Sequence, residues 1–184
     1  MVDKVHAERK LVLEDFHGGS PVVALKAAAP ASRISLRAKA EAVPALSEAL
    51  GLALPETPKT SITSGLRSVL WIGPDEWLVI DQAESDLMAV LSGVSGLFSS
   101  TDISHRNVAI VVSGPGAEAA LNAGCPQDLS TKVFPVGACS RTIFGKAEIV
   151  LLRVADDTFR VECWRSFADY VGGLLQEAAE DVAV

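Results

Sequence analysis

Long apolar runs, clustered basic residues and closely spaced cysteines are all missing from this 184-residue chain. No apolar run approaches the ~20 residues that a membrane-spanning helix needs. The formal net charge is −7, and the 16 Lys and Arg residues are scattered along the chain. Nucleic acids and anionic membranes are bound by basic surfaces, so the composition argues against both as partners.

Cysteine and histidine, with three residues of each, are too scarce to form a stapled or metal-held fold. Cys125, Cys139 and Cys163 form no Cys-x-x-Cys pair, and no histidine lies close to them in sequence. This spacing indicates neither a disulfide framework nor a zinc site, and it predicts buried free thiols. The first ten residues carry charges where a secretory signal has an apolar core, which predicts a cytoplasmic protein.

Apolar residues make up 49% of the chain and charged residues 21%, as in a well-packed soluble domain. Residues 1–21 have no clear periodicity and end in Gly-Gly-Ser-Pro, so we predict an N-terminal arm. The remainder, 22–184, is predicted to be one domain built from two pseudo-repeated halves, 22–95 and 96–184.

The predicted first half alternates strands and helices. Residues 32–37 alternate in polarity, which predicts a strand with one face exposed to solvent. The Pro-containing stretch 54–65 is either an ordered loop or a flexible segment. The other predicted elements are a strand at 22–25, a helix at 42–50 ending before Gly51, a hairpin of 68–72 with 77–80, and a helix at 84–91.

The predicted second half repeats this order. Residues 108–112 form an apolar run typical of a strand buried on both faces, followed by a Gly114-Pro115-Gly116 turn and a short helix that a left-handed Gly124 ends. Strands at 140–144, 147–154 and 159–164 precede a helix that begins at a Ser166/Asp169 capping box. The fold class is therefore α+β, with duplicated strand-helix-hairpin-helix halves and helices packed on mainly antiparallel sheets.

A polar cluster at Asp102, Ser104, His105 and Arg106 precedes the apolar run. These are the residue types of a hydrolase triad, but neighbours on an extended segment point to opposite faces and do not converge. We expect a local Asp or Ser hydrogen bond to the backbone, or a contact with a partner, for which arginine is favoured. Arg165 pairs either with Asp169 or with a partner. Trp71, Trp77 and Trp164 are expected to pack across hairpin strands.

Ordered motifs over residues 68–175 resemble a known family. Asp102-Ile103-Ser104-His105, Val112-Ser113-Gly114-Pro115 and Asp128-Leu129 are similar to the folate-binding aminomethyltransferases, which include the glycine-cleavage T protein. The resemblance is strongest to the gamma subunits of heterotetrameric sarcosine oxidases, through further motifs: Gly73-Pro74-Asp75-Glu76-Trp77, Gly124-Cys125-Pro126, Arg141-Thr142 and Arg165-Ser166-Phe167 with Tyr170. It implies the aminomethyltransferase folate-binding-like fold.

The resemblance also implies a role inside an assembly with alpha, beta and delta subunits. Such enzymes demethylate sarcosine to glycine oxidatively and pass the one-carbon unit to tetrahydrofolate. FAD, FMN, NAD, tetrahydrofolate and zinc are implied on the partner subunits, with no cofactor, metal or catalytic residue on this chain. The cluster Asp102, Ser104, His105, Arg106 and Arg165 is then a candidate partner contact or a structural feature.

One departure from the T-protein pattern bears on catalysis. The family places a folate-facing acid on the first strand of the second-half hairpin, where this chain has apolar residues 149–152. A shift of one residue would place Glu148 there. A free-standing folate-binding aminomethyltransferase-like enzyme, using Glu148 or Asp102, is therefore the alternative, and a small-molecule sensor domain is a third reading.

Overall fold

The computed structural model describes residues 12–183, which form eleven strands and four α-helices. The strands are β1 His17–Ser20, β2 Val23–Ala27, β3 Ser32–Ala38, β4 Ser61–Ser64, β5 Arg67–Gly73, β6 Glu76–Asp81, β7 Phe98–Asp102, β8 Asn107–Ser113, β9 Cys139–Phe144, β10 Ala147–Ala155 and β11 Thr158–Trp164. The helices are α1 Val43–Leu50, α2 Leu87–Leu91, α3 Ala117–Asn122 and α4 Ala168–Asp181, with 3-10 turns at Ala40–Ala42 and Arg165–Phe167.

The strands form two antiparallel sheets. The large sheet has the order β1-β2-β8-β11-β10-β9, and the small sheet has the order β4-β5-β6-β3-β7. Helices α3 and α4 cover one face of the large sheet, and α1 and α2 cover one face of the small sheet. The other two faces meet across a smaller core that includes Leu70, Ile80 and Val150. The predicted α+β class with antiparallel sheets and packed helices is confirmed.

The two sheets share one chain order. In the small sheet, β3 is followed by α1, then β4, β5 and β6, then α2; in the large sheet, β8 is followed by α3, then β9, β10 and β11, then α4. The strand before each set lies in the opposite sheet, because β2 pairs with β8 and β7 pairs with β3. The boundaries 1–21, 22–95 and 96–184 stay a prediction, and residues 1–11 of the arm lie outside the described residues.

The layer between the sheets corrects one expectation. The alternating strand β3 turns Ile34 and Leu36 toward α1 and α2, and its other face is only partly covered by the large sheet. On that face Arg33 is 2% exposed, whereas Arg37 is exposed. The predicted wet face is therefore present at Arg37 but not at Arg33, because a polar alternation looks the same whether solvent or an ion-pairing layer covers it.

Local details of the helices also differ from prediction. Helix α2 begins at Leu87 with Asp86 as its N-cap, and the stretch 54–65 contains strand β4. No capping box forms at Ser166, since Phe167 is the N-cap of α4 without a side-chain hydrogen bond. Helix α3 ends at a right-handed Ala123; Gly124 is needed instead for close packing, because a Cβ there would lie 2.6 Å from the Phe144 ring.

Two predictions about side chains hold. The three cysteines are buried and unpaired, and Trp71 lies opposite Trp77 across the β5–β6 hairpin. The indole of Trp77 is buried and donates to the carbonyl of Pro55 at 2.8 Å. Within residues 12–183, no helix is long and apolar enough to cross a membrane.

Candidate functional site

The predicted cluster at residues 102–106 forms the link between β7 and β8. The Ser104 amide donates to Asp102 Oδ1 at 2.8 Å, and the Arg33 amide donates to Ser104 Oγ at 2.8 Å. The expected local hydrogen bond is thus confirmed. These two bonds fix the turn against strand β3, and they occupy the groups that a hydrolase triad would need.

Arg106 leaves this turn on the side of the large sheet. Its guanidinium lies 5.3 Å from the centre of the Trp164 ring, and the Trp164 ring lies 6.1 Å from that of Phe167. Trp164, Phe167 and Tyr170 are each about two-fifths exposed. We name Arg106, Trp164, Phe167 and Tyr170 the aromatic patch. The cation over an aromatic face fixes the direction of a solvent-facing arginine.

Three other predicted site residues lie beside a cavity and not in the aromatic patch. Ser104, His105 and Arg165 line a cavity of about 440 Å³ together with Arg33 and the segment 12–15. Arg165 also donates its amide to the Arg106 carbonyl at 2.7 Å, which ties the start of α4 to the turn. The turn therefore faces two surfaces, and a partner contact at the predicted cluster stays a prediction.

Sequence reasoning missed the aromatic patch because it assigned these rings to packed positions. Trp164 was expected to pack across a hairpin, and Phe167 and Tyr170 to lie on the apolar stripe of α4. A usable signal was present. Trp164 alternates with Glu162 and Arg160, so it lies on the polar face of β11 and at its end.

A buried ion-pair triad lies between the sheets beside the turn. Arg33 donates from Nε and Nη2 to the two oxygens of Glu162 at 2.7 and 3.2 Å, and Arg160 Nε donates to the same carboxylate at 2.8 Å. These side chains are at most 8% exposed. Charges buried this deeply hold their positions only when they are paired, so the triad fixes β3 of the small sheet against β11 of the large sheet.

A second charge cluster joins β6 to β9. Arg141 Nη2 and Arg37 Nη2 donate to Glu76 Oε2 at 2.7 and 3.1 Å. Burial alone would raise the pKa of Glu76, but the hydrogen bonds from the two guanidinium groups outweigh it and hold the pKa below its ordinary value. The carboxylate is therefore ionised and fully engaged near neutral pH.

Glu148, the alternative catalytic acid, is exposed on β10. It borders a cavity of about 40 Å³ whose walls include Glu76, Arg141 and Glu162. Small-molecule sites usually enclose about 300–1,000 Å³, so this cavity is far too small for a folate ring system. Within residues 12–183, no three His, Cys, Asp or Glu side chains are grouped to hold a metal ion.

Comparisons with known proteins agree with this architecture. The chain is 29% identical to the sarcosine oxidase subunit gamma of Corynebacterium sp. strain P-1 over 76% of this chain and 70% of the relative. It is 28% identical to that of strain U-96 over 89% and 82%. It also matches a chain in the structure of the heterotetrameric sarcosine oxidase from Corynebacterium sp. U-96, with a TM-score of 0.83, 26% identity, and coverage of 88% of this chain and 86% of that one.

A more distant match shows the fold alone. The glycine cleavage aminomethyltransferase T from Bartonella henselae aligns with a TM-score of 0.60 and 13% identity over 84% of this chain and 45% of that protein. The family model described as "Sarcosine oxidase, gamma subunit family" matches residues 36–181, which contain strands β4 to β11 and all four helices of the described structure. The chain belongs to the sarcosine oxidase gamma subunit family.

Proposed function

We propose that this chain is the non-catalytic gamma subunit of a heterotetrameric sarcosine oxidase. The assembled enzyme demethylates sarcosine to glycine oxidatively in the cytoplasm and transfers the one-carbon unit to tetrahydrofolate. Its alpha, beta and delta subunits carry the FAD, FMN, NAD, tetrahydrofolate and zinc. The observation that carries this proposal is the match of 88% of the chain to a chain of such a heterotetramer.

The interior of the chain supports a structural role. Arg37 and Arg141 occupy the Glu76 carboxylate, and Arg33 and Arg160 occupy Glu162, so neither of these two buried acids is free to act as a base. The remaining carboxylate near this layer, Glu148, borders a cavity of only about 40 Å³. A catalytic acid needs a substrate atom within hydrogen-bond reach, and a cavity of this volume admits no such substrate.

The aromatic patch supports a docking role. Trp, Tyr and Arg are the residues most enriched at the energetic centres of protein interfaces. Arg106 holds the Trp164 ring at 5.3 Å, so part of this surface is already ordered before a partner binds. Ordered anchors lose little entropy on association, which favours tight binding.

The proposal is tested by assembling the four subunits with variants of the patch. We expect Trp164→Ala and Arg106→Ala each to weaken retention of this chain by the other subunits at least about 10-fold, the loss typical of an interface anchor. Leu97→Ala is the matched control, because Leu97 is 73% exposed but follows α2, on the side of the small sheet. Circular dichroism checks that each variant is folded.

Two outcomes would contradict the proposal. A chain that shows no affinity for the other three subunits is not their gamma subunit. Micromolar binding of tetrahydrofolate to the isolated chain, lost in Glu148→Gln, would favour the free-standing aminomethyltransferase-like enzyme. Isothermal titration calorimetry of the wild type and this variant measures the second outcome.

A further inference from the structure

A second opening between the sheets lies away from the aromatic patch. It has a volume of about 410 Å³ and lies where β4 and β5 of the small sheet face β8, β10 and β11 of the large sheet. Thr63, Ser68 and Thr158 contribute hydroxyl groups to its walls, and Ile80, Val111 and Leu152 contribute apolar groups. We name this opening the hydroxyl groove. Its volume is within the range of small-molecule sites, about 300–1,000 Å³.

One buried cation in the groove is incompletely paired. Arg160 lines the groove and is 6% exposed, and its buried Nη2 has no hydrogen-bond partner within residues 12–183. Its Nε donates to Glu162 Oε1 at 2.8 Å. Buried polar groups in folded proteins are nearly always hydrogen-bonded, so the positive charge of Arg160 is only partly compensated by its own hydrogen bonds.

The net charge of the triad also favours an anion in the groove. Arg33 uses Nε and Nη2 on Glu162 and Nη1 on the Ala31 carbonyl at 3.0 Å, so its hydrogen-bonding capacity is directed inward. Glu162 is then one carboxylate between two guanidinium groups. The triad carries an excess of one positive charge, which is costly in a buried layer unless an anion balances it.

A pair of hydroxyls supplies further donors. Thr63 Oγ1 and Ser68 Oγ lie 2.9 Å apart, and either one can be the donor. Two hydroxyl groups share two hydrogens, and their mutual bond uses only one of them. The other remains available to a ligand in the groove. The groove thus combines a cation, a hydroxyl donor and apolar walls.

We propose that the hydroxyl groove binds a small organic monocarboxylate, with Arg160 as its cation. A carboxylate carries one negative charge and balances the excess of the triad, whereas inorganic phosphate is a mixture of the monoanion and the dianion near neutral pH. The apolar groups of Ile80, Val111 and Leu152 receive the organic part. None of the residues of the aromatic patch lines this groove.

The test is an NMR titration of the isolated full-length chain with sodium benzoate. We expect saturable shifts of backbone amides around the groove, including those of Ser68 and Thr158. Benzamide, which has the same shape without the charge, is expected to bind at least 10-fold more weakly. This comparison requires no variant. Inorganic phosphate is the probe for a dianion, and stronger binding of phosphate than of benzoate would overturn the monocarboxylate class.

Variants then assign the cation. Arg160→Met is expected to weaken benzoate binding at least 10-fold, and it leaves Glu162 paired with Arg33 through two hydrogen bonds. Arg141→Met is the matched control, because Arg141 also pairs with a carboxylate between the sheets but borders the 40 Å³ cavity. The proposal is overturned if benzoate produces no saturable shifts, if benzamide binds equally well, or if Arg160→Met binds like the wild type.

Discussion

Glu162 is the residue on which the two buried arginines of the triad depend. It accepts three hydrogen bonds from Arg33 and Arg160 and is 1% exposed. The sequence shows Arg160 and Glu162 alternating with apolar residues, a pattern that predicts an exposed face. Only the presence of the second sheet turns that face inward. The strand itself could therefore be predicted from the sequence, whereas the burial of its polar side chains could not.

Replacing Glu162 tests the energetic weight of the triad. Glu162→Gln leaves two buried guanidinium groups without a counter-charge, and breaking a buried pair in this way costs about 3–5 kcal/mol. Urea unfolding of the isolated chain at pH 7 measures the loss of stability. The double variant Glu162→Gln with Arg160→Met has one fewer unpaired charge, and we expect it to recover part of the loss. A single-variant loss below about 1 kcal/mol, as for an ordinary exposed ion pair, would contradict the role assigned to Glu162.

Glu76 predicts the response of the chain to acid. Hydrogen bonds from Arg141 and Arg37 hold its folded pKa below the unfolded value, despite the opposing effect of burial. Such a carboxyl stabilises the fold fully above its unfolded pKa and loses that contribution as the pH falls through the folded pKa. We expect the urea midpoint to fall from about pH 5 downward, and to fall less steeply in Glu76→Gln.

Asp81 limits how far Glu76→Gln can flatten that pH dependence. Burial raises its pKa, but hydrogen bonds from Ser85, Arg67 and the Ala83 amide outweigh burial and lower it. Asp81 therefore keeps part of the acid sensitivity in the variant. If the wild type and Glu76→Gln had parallel curves of stability against pH, Glu76 would not be a source of the sensitivity.

At the scale of elements, strands and helices with a strong period were predictable and their ends were not. The hairpins β5–β6 and β10–β11 and the helices α1 and α4 follow from apolar spacing and turn residues. Strand β4 has the sequence Ser-Ile-Thr-Ser, too short and polar to be distinguished from a loop. Strand β4 is an edge strand because it pairs with β5. Its own residues do not indicate this pairing, so it could not be predicted from them.

Two glycines, one just after α3 and one within α4, separate the effect of close packing from that of helix propensity. Gly124→Ala would place a Cβ 2.6 Å from the Phe144 ring, so we expect a loss of about 1–3 kcal/mol from overpacking. Gly173→Ala is the matched control: Gly173 lies within α4, an added Cβ there would have no neighbour within 4 Å among residues 12–183, and we expect a gain of about 0.5–1 kcal/mol. Thermal and urea unfolding measure both changes. Equal effects of the two substitutions would show that contact with Phe144 is unimportant.

At the scale of the whole molecule, the strand that precedes each repeated set of elements pairs in the opposite sheet. Strand β2 belongs to the large sheet although β3 follows it, and β7 belongs to the small sheet although β8 follows it. The duplicated order of elements could be read from the sequence. This pairing could not, because the partners of β2 and β7 are set by long-range packing that leaves no local pattern.

The buried layer between the sheets predicts that they open together. Separation of the small sheet would expose the core that includes Leu70, Ile80 and Val150, and it would break the hydrogen bonds from Arg33 to Glu162. Native-state hydrogen exchange is expected to give the same opening free energy for β3 and β6 as for β8 and β11. A clearly lower value for the small sheet alone would mean that the sheets are independent units.

The buried thiols can report how fast different parts of this fold open. Burial raises the pKa of Cys139 and of Cys163 to about 12, and only the thiolate reacts rapidly with alkylating reagents. The Cys139 thiol lies within hydrogen-bond distance of the carbonyls of Thr60 and Trp71, at 3.1 and 3.3 Å, where the two sheets join, whereas Cys163 lies under the helices of the large sheet. The rate of iodoacetamide labelling at Cys139 therefore measures how fast the two sheets separate. The rate at Cys163 measures how fast the helices detach from the large sheet.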